Sequence, residues 1–97
     1  MKFKPDDRKA QILSEAVRQA RDVGYQNIRR ENVAKALGLS VGMVNHTFTT
    51  MALLKRAVMG AAIAQRIPEI VAQGLAAKDP RAMNAPEDLK AMARATL

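Results

Sequence analysis

The sequence predicts an all-α fold in which three helices with short connections are followed by a longer fourth helix and one or two short C-terminal helices. Apolar residues recur every three or four positions along most of the chain, as in helices that bury one face. The apolar set is dominated by Ala, Leu, Ile, Val and Met, and the only aromatic residues are Phe3, Tyr25 and Phe48. This composition suits packed helices better than a core built from strands.

The first helix is expected over residues 6–23. Pro5, Asp6 and Asp7 supply a fixed φ angle and negative charge, and both suit a first helical turn. Gly24 follows this helix as a C-terminal glycine would. The apolar residues between these signals keep helical spacing: Ile12, Leu13, Ala16, Val17, Ala20 and Val23.

The segment Glu31–Phe48, with the residue before it, is expected to form two short helices joined by a tight turn. Helix two, residues 30–37, is stopped by Gly38. Helix three, residues 41–47, begins after Ser40, whose hydroxyl oxygen can cap the free N–H groups of the first turn. Two helices held in this way form a helix-turn-helix, whose second helix can enter the major groove of DNA.

A longer fourth helix is expected to begin after Thr49 and Thr50, which can cap it, and to end near Arg66. Its apolar face is wide enough to contact the first three helices and also a second packing partner. This face comprises Leu53, Leu54, Ala57, Val58, Ala61 and Ile63.

The C-terminal third predicts a short helix over Pro68–Leu75, a linker over residues 76–85 and a final short helix after Pro86. This part is too short for a core of its own, so it must pack on helix four, on a second copy of the chain, or on nothing until a partner arrives. We therefore divide the chain into a helix-turn-helix head, residues 1–59, and a C-terminal dimerisation segment, residues 60–97. The apolar side chains expected at the dimer surface are Ile63, Ile70, Val71, Leu75, Leu89 and Met92.

Positive charge is concentrated in the first part of the chain. Residues 1–60 hold 11 Lys and Arg against 5 Asp and Glu, whereas residues 61–97 hold 5 against 4. Basic charge beside a helix-turn-helix is expected where Lys and Arg neutralise phosphates and release counterions. A solvated basic surface would have the same composition, so charge alone is weak evidence.

Several classes of function are disfavoured by what the sequence lacks. There is no cysteine, and the lone His46 cannot build a metal site by itself, so we expect no metal and no other cofactor. Paired carboxylates in a plausible pocket, a Ser-His or Cys-His arrangement and a phosphate-cradling glycine loop are also missing, so we do not expect an enzyme. No apolar run approaches the about 20 residues that span a bilayer, and the N-terminus lacks a signal peptide's apolar core, so a cytoplasmic protein with no membrane contact is expected.

An ordered set of landmarks runs through residues 12–59 without a gap. They are Gly24-Tyr25, Val33-Ala34, Gly38-Leu39-Ser40, Gly42, Phe48 and Leu53-Leu54. In this order they resemble the N-terminal DNA-binding domain of TetR-type transcriptional regulators, a homeodomain-like three-helix head. The resemblance implies that helix three lies in the major groove. Because only 38 residues follow Met59, the family's usual large ligand-binding domain is missing and a small-molecule inducer is not expected.

The resemblance also implies which residues contact DNA. On helix three these are Val41, Gly42, Met43, Asn45, His46 and Thr47, with Ser40 at its start, while Val44 and Phe48 face the core. Arg29 and Arg30 stand where family members often place a small hydroxyl residue that touches phosphate, and they could clamp phosphate or enter a minor groove. Lys55 on helix four could flank the duplex. For each polar residue the competing interpretation is a solvated surface position.

The chain departs from the family pattern at three positions. Family members commonly carry tyrosine at the position of Asn45, histidine at Thr47 and lysine at Met51, residues that hold the phosphate backbone. Asn45 can instead pair bidentately with adenine, and Thr47 can donate its hydroxyl to a phosphate. Phosphate anchoring is then expected to be redistributed to neighbouring basic residues, and the basic arm can follow phosphate or remain a soluble tail. That arm comprises Lys2, Lys4, Arg8 and Lys9.

These observations predict a sequence-specific double-stranded DNA-binding transcriptional regulator. A homodimeric repressor is expected, with helix three of each copy on one half of a palindromic operator. An activator would use the same reader. The alternative from another class is a protein-binding adaptor or assembly factor whose helical head contacts another protein. A salt-dependent affinity that distinguishes one operator from random duplex would argue against the adaptor.

Overall fold

The computed structural model describes residues 5–96, with side chains from residue 7 onward, and confirms the all-α fold. Within these residues there are helices and one 3-10 turn but no strand. The elements are α1 (Pro5–Val23), the 3-10 turn (Tyr25–Asn27), α2 (Arg30–Leu37), α3 (Val41–Thr47), α4 (Met51–Ala64), α5 (Pro68–Ala76), α6 (Pro80–Met83) and α7 (Glu87–Ala95). None of these helices is both long enough and apolar enough to cross a membrane.

The ends of α2, α3 and α4 follow the capping signals of the sequence. Gly38 adopts a left-handed conformation with φ 68°, which ends α2 at low steric cost because glycine has no Cβ. The Ser40 hydroxyl accepts a hydrogen bond from the Met43 N–H at 3.1 Å, and the Thr50 hydroxyl accepts one from the Leu53 N–H at the same distance. These contacts begin α3 and α4 at the predicted residues.

The first three helices pack around a common set of apolar side chains. Its buried members are Ile12, Ala16, Val17, Ala20, Val33, Ala34, Val44 and Phe48. They come from the predicted inner faces of α1, α2 and α3, with Phe48 just after α3. Full burial of one aliphatic side chain of this kind stabilises a fold by about 1.5–3 kcal/mol, so this set is sufficient to fix the orientation of a helix as short as α3.

A buried glycine lets the C-terminal helices approach α4 closely. Gly74 lies on α5 and is buried. A Cβ atom at this position would be 2.5 Å from the Met59 Cε and 2.6 Å from the Ala82 Cβ. The Met59 methyl group can move aside, but the Ala82 Cβ is fixed to its backbone, so any larger residue would push α5 away from α6. The glycine that weakens α5 as an isolated helix is required by its packing.

The prediction of a linker over residues 76–85 is wrong, because this segment contains α6. Asp79 is the N-cap of this short helix, and its Oδ1 accepts a hydrogen bond from the Arg81 N–H at 2.9 Å. Pro80 occupies the first helical position, where its missing N–H costs nothing. Ala82 and Ala85 are buried in the core. Three short helices therefore follow α4 instead of one or two, and the Asp-Pro pair was the signal for the extra one.

The surface that we expected to pair with a second copy is largely occupied within the chain. Ile70, Val71 and Leu89 are fully buried because α7 packs on α5, and α5 packs on α4. The remaining members differ: Ile63 and Leu75 are partly buried, and Met92 is exposed. The apolar side chains of α5 are thus buried against α4 and α7 of the same chain.

Tyr25 joins the first helices to the C-terminal part. Its N–H donates to the Gln73 Oε1 at 2.7 Å, and the Gln73 Nε2 donates to the Ala20 carbonyl at 3.1 Å. The Tyr25 hydroxyl donates to the Asp79 Oδ2 at 3.0 Å. Burial and the Asp79 carboxylate raise the pKa of Tyr25 to about 12. This network fixes the end of α1 against α5 and the start of α6.

Candidate nucleic-acid interface

α3 has one face in the core and the opposite face open to solvent. Val44 and Phe48, one helical turn apart, are buried. The exposed members of the predicted reading set are Val41, Gly42, Met43 and His46, together with Ser40 at the cap, while Asn45 and Thr47 are partly buried. The structure therefore exposes four of the predicted residues of α3, Val41, Gly42, Met43 and His46. These residues are available to a macromolecular partner without any rearrangement of the core.

Arg30 and Asn45 contact each other. The Arg30 Nη1 donates a hydrogen bond to the Asn45 Oδ1 and thereby links the first residue of α2 to α3. The neighbouring Arg29 is exposed at the N-cap position of α2, and its side chain caps nothing. The two arginines are equivalent in the sequence pattern. The structure distinguishes their roles. The Arg30 side chain orients Asn45 of α3, whereas the Arg29 side chain forms no hydrogen bond with the described residues.

The hydroxyl group of Thr47 is used inside α3. It donates to the carbonyl oxygen of Met43 at 3.1 Å. Donation to a phosphate, which the sequence suggested, would require this bond to break, whereas the oxygen can still accept a hydrogen bond. The side chain is partly buried. In this conformation Thr47 contributes to the helix and not to the exposed face.

The start of α1 packs against α3. The Arg8 Nη1 lies 3.3 Å from the Met43 Sδ, and the Lys9 Nζ lies 5.9 Å from the centroid of the Phe48 ring, within reach of a cation–π contact. Of the predicted basic arm, Arg8 and Lys9 are thus helical and tied to α3, while Lys2 and Lys4 lie outside the described residues. The start signal at Pro5 already implied that residues 8 and 9 belong to a helix.

The described ion pairs lie within α1, within α7, and between Arg66 and Asp88 of α7. Arg18 pairs with Glu15 at 2.6 Å and with Asp22 at 3.4 Å, and Lys90 pairs with Glu87 at 2.8 Å. The hydrogen bond from Arg18 lowers the pKa of Glu15, and the one from Lys90 lowers the pKa of Glu87. These carboxylates neutralise cations on α1 and α7. In the described part of the chain, no carboxylate forms an ion pair with a cation of α2 or α4.

Lys55 lies on α4, the helix that follows α3. It is partly buried on the second turn of α4 and lines an open groove together with Tyr25 and Gln26 of the 3-10 turn. The structure therefore does not place it on the exposed face of α3. Among the described residues, no three His, Asp or Glu side chains stand together as the ligands of a metal ion would.

No protein-family model, curated protein or solved structure matches this chain significantly. The features of the structure that bear on function are the exposed face of α3 and the two arginines at the start of α2.

Proposed function

We propose that this chain is a sequence-specific DNA-binding transcriptional regulator in which α3 reads base edges in the major groove. The observation that carries this proposal is the orientation of α3. Val44 and Phe48 hold the helix against the core, and Val41, Met43 and His46 are exposed on the other side. A seven-residue helix presented in this way fits the major groove, and the TetR-like order of landmarks supports the same arrangement.

Each exposed group has a chemical role in this proposal. Asn45, oriented by Arg30, pairs with adenine, and Arg29 contacts a phosphate. Val41 and Met43 offer apolar surface to thymine methyl groups. Gly42 has open space around it, since an added Cβ would meet only the Ser40 Oγ at 3.7 Å. Packing within the protein therefore does not require glycine at position 42. In the proposed complex, the missing side chain of Gly42 lets the helix approach DNA closely.

The proposal includes a homodimer that acts in the cytoplasm as a repressor. One α3 reads only a few base pairs, so useful specificity requires two copies on related half-sites. In the C-terminal helices, Met83 is 52% exposed and Met92 is 46% exposed. These are the large apolar side chains that this part of the chain leaves for a second copy. Occupation of the operator blocks transcription, while an activator would use the same contacts.

Selection of bound fragments from a random duplex library tests the proposed function. The full chain should enrich a palindromic sequence, and footprinting of the best duplex should protect two half-sites. The half-site separation then constrains the dimer, because paired readers on one side of the DNA lie about 34–36 Å apart or a multiple of that. A library that emerges without any enriched sequence would refute sequence-specific reading.

The same exposed face of α3 favours one alternative, a protein-binding adaptor or assembly factor. Val41 is 38% exposed and Met43 is 44% exposed, and apolar side chains of this kind also anchor protein partners. The two functions differ in their response to salt. DNA binding weakens steeply as salt rises because counterions are released, whereas a contact centred on Val41 and Met43 depends little on salt.

A further inference from the structure

An open groove of about 470 Å³ lies between the 3-10 turn, the first two turns of α4 and the connection from α5 to α6. Four of the residues that line it are cationic. Lys55 and Arg56 come from α4, Lys78 from the connection and Arg81 from α6. Elements that are far apart in sequence therefore converge to concentrate positive charge in one concave surface.

The positive charge of the groove is only partly offset by the residues that line it, because four cations face one carboxylate. None of the four cationic side chains forms an ion pair or a side-chain hydrogen bond with another residue in the described part of the chain. Asp79 is the one carboxylate in the lining, and both of its oxygens are engaged. Oδ1 accepts from the Arg81 N–H at 2.9 Å, and Oδ2 accepts from the Tyr25 hydroxyl at 3.0 Å.

The lining of the groove includes the 3-10 turn, which precedes α2, and the first two turns of α4, the helix that follows α3. It includes Gln26, three residues before Arg29 at the start of α2. The lining also includes Ala52 on the first turn of α4. Because α4 begins shortly after α3 ends at Thr47, the cations on its first two turns are close in the chain to the helix that is proposed to read DNA.

We infer that this groove, through Lys55, Arg56, Lys78 and Arg81, binds the sugar–phosphate backbone of the duplex beside the bases that α3 reads. The inference rests on the proposed function and adds a second, sequence-independent contact to it. A row of unpaired cations in an open groove suits a polyanion, because each neutralised phosphate releases counterions and little desolvation is required. A compact anion would use only one or two of the four cations and would remain largely in water.

Charge-matched variants of the full chain test this inference. Lys78→Gln with Arg81→Gln removes two cations from the groove, while Arg21→Gln with Lys35→Gln removes one exposed arginine and one exposed lysine that do not line it. Glutamine keeps most of the side-chain length and leaves the backbone at Lys78, with φ 57°, equally strained. Circular dichroism verifies that both variants are folded. The affinity of each protein for a mixed-sequence duplex is then measured against salt concentration.

The groove variant should flatten the salt dependence by about 0.9 per lost phosphate contact, or about 2 for the pair, whereas the control should keep the wild-type slope. The wild-type chain should also gain affinity when the duplex is lengthened beyond the footprint of α3, and the groove variant should lose this gain. Equal slopes for the groove variant and the control would overturn the inference and leave sequence selection by α3 intact. Stabilisation by inorganic pyrophosphate alone, lost in the groove variant while its DNA slope is unchanged, would overturn it in favour of a free anion. If the wild-type chain selects no sequence, the proposed function fails independently of the groove.

Discussion

Arg30 on α2 donates a hydrogen bond to the side-chain carbonyl of Asn45 on α3. The contact fixes the one amide of α3 that could pair bidentately with a base. It also distinguishes two adjacent arginines, because Arg29 remains exposed with no described partner. Base reading and phosphate contact should therefore be separable by single substitutions at positions 29 and 30.

Substitution of Arg30 should mimic substitution of Asn45. Asn45→Ala should reduce the preference for one base pair in each half-site by roughly 1–3 kcal/mol. Arg30→Ala should lose much of the same preference because Asn45 is no longer oriented, and the double variant should lose little more. Arg29→Ala, the matched control, should weaken all duplexes alike and flatten the salt slope by about 1. Competition binding with single-base-pair variants of the selected duplex measures these effects, and additive losses from Arg30→Ala and Asn45→Ala would contradict the coupling.

The Tyr25 hydroxyl should make stability depend on pH in the alkaline range. Its pKa is raised from 10.0 to about 12 in the folded chain, so the folded state holds the proton more tightly than the unfolded state. This stabilisation is complete below pH 10 and is lost as the pH rises from 10 to about 12. It should be roughly 1–3 kcal/mol. Tyr25 is the only tyrosine, so tyrosinate absorbance reports it directly. Urea titrations of Tyr25→Phe should lack the part of the alkaline decline that comes from this group, and a folded-state midpoint near 10 would contradict the account.

Two glycines should respond to alanine in opposite ways. Gly74→Ala should destabilise the fold by about 1–3 kcal/mol, because the new Cβ would be 2.6 Å from the Ala82 Cβ. Gly60 lies on the exposed side of α4, and a Cβ added there would point into open space with no neighbour within 4 Å. Gly60→Ala should therefore stabilise the chain by up to about 1 kcal/mol through helix propensity. Urea unfolding of the two variants measures the difference. Equal effects would mean that α5 does not approach α4 and α6 as closely as described.

Adjacent residues on α3 should separate stability from binding. Val44→Ala removes a buried side chain and should lower the free energy of unfolding by roughly 1–3 kcal/mol. Met43→Ala alters an exposed side chain and should change the stability by less than about 0.5 kcal/mol. On the selected duplex, Met43→Ala should nevertheless lower the affinity. Thermal unfolding and DNA titration of both variants check this. A large loss of stability from Met43→Ala would place that residue in the core.

Local signals predicted the elements of the fold well. Gly38, Ser40 and Thr50 act through their own turns, so the bounds of α2 and α3 and the start of α4 follow from nearby sequence. The burial of Val44 and Phe48 also follows, since one helical turn separates two bulky apolar residues. Helix α6 was missed although Asp79 and Pro80 form a start signal, because four residues give too little periodicity to detect.

Long-range contacts could not be predicted from the sequence. The apolar faces of α5 and α7 could equally have faced a second copy, and only the packing of α7 on α5 shows that Ile70 and Leu89 are buried within the chain. The hydrogen bond from Arg30 to Asn45 joins residues that are 15 positions apart in the sequence. The one from Tyr25 to Asp79 joins residues that are 54 positions apart. No periodic pattern encodes such pairs. The basic groove is hidden for the same reason, because its cations come from separate elements.

The central claim, that α3 reads base edges, is tested most directly by amide NMR of the full chain with two duplexes of equal length. One duplex carries the selected sequence and the other a scrambled version of it. Phosphate contacts respond to both duplexes, so the difference between the two sets of shift changes isolates base reading. We expect the largest differences in α3, residues 41–47, with smaller ones at Arg29 and around the groove. Differences centred on α7, or none between the two duplexes, would contradict the claim.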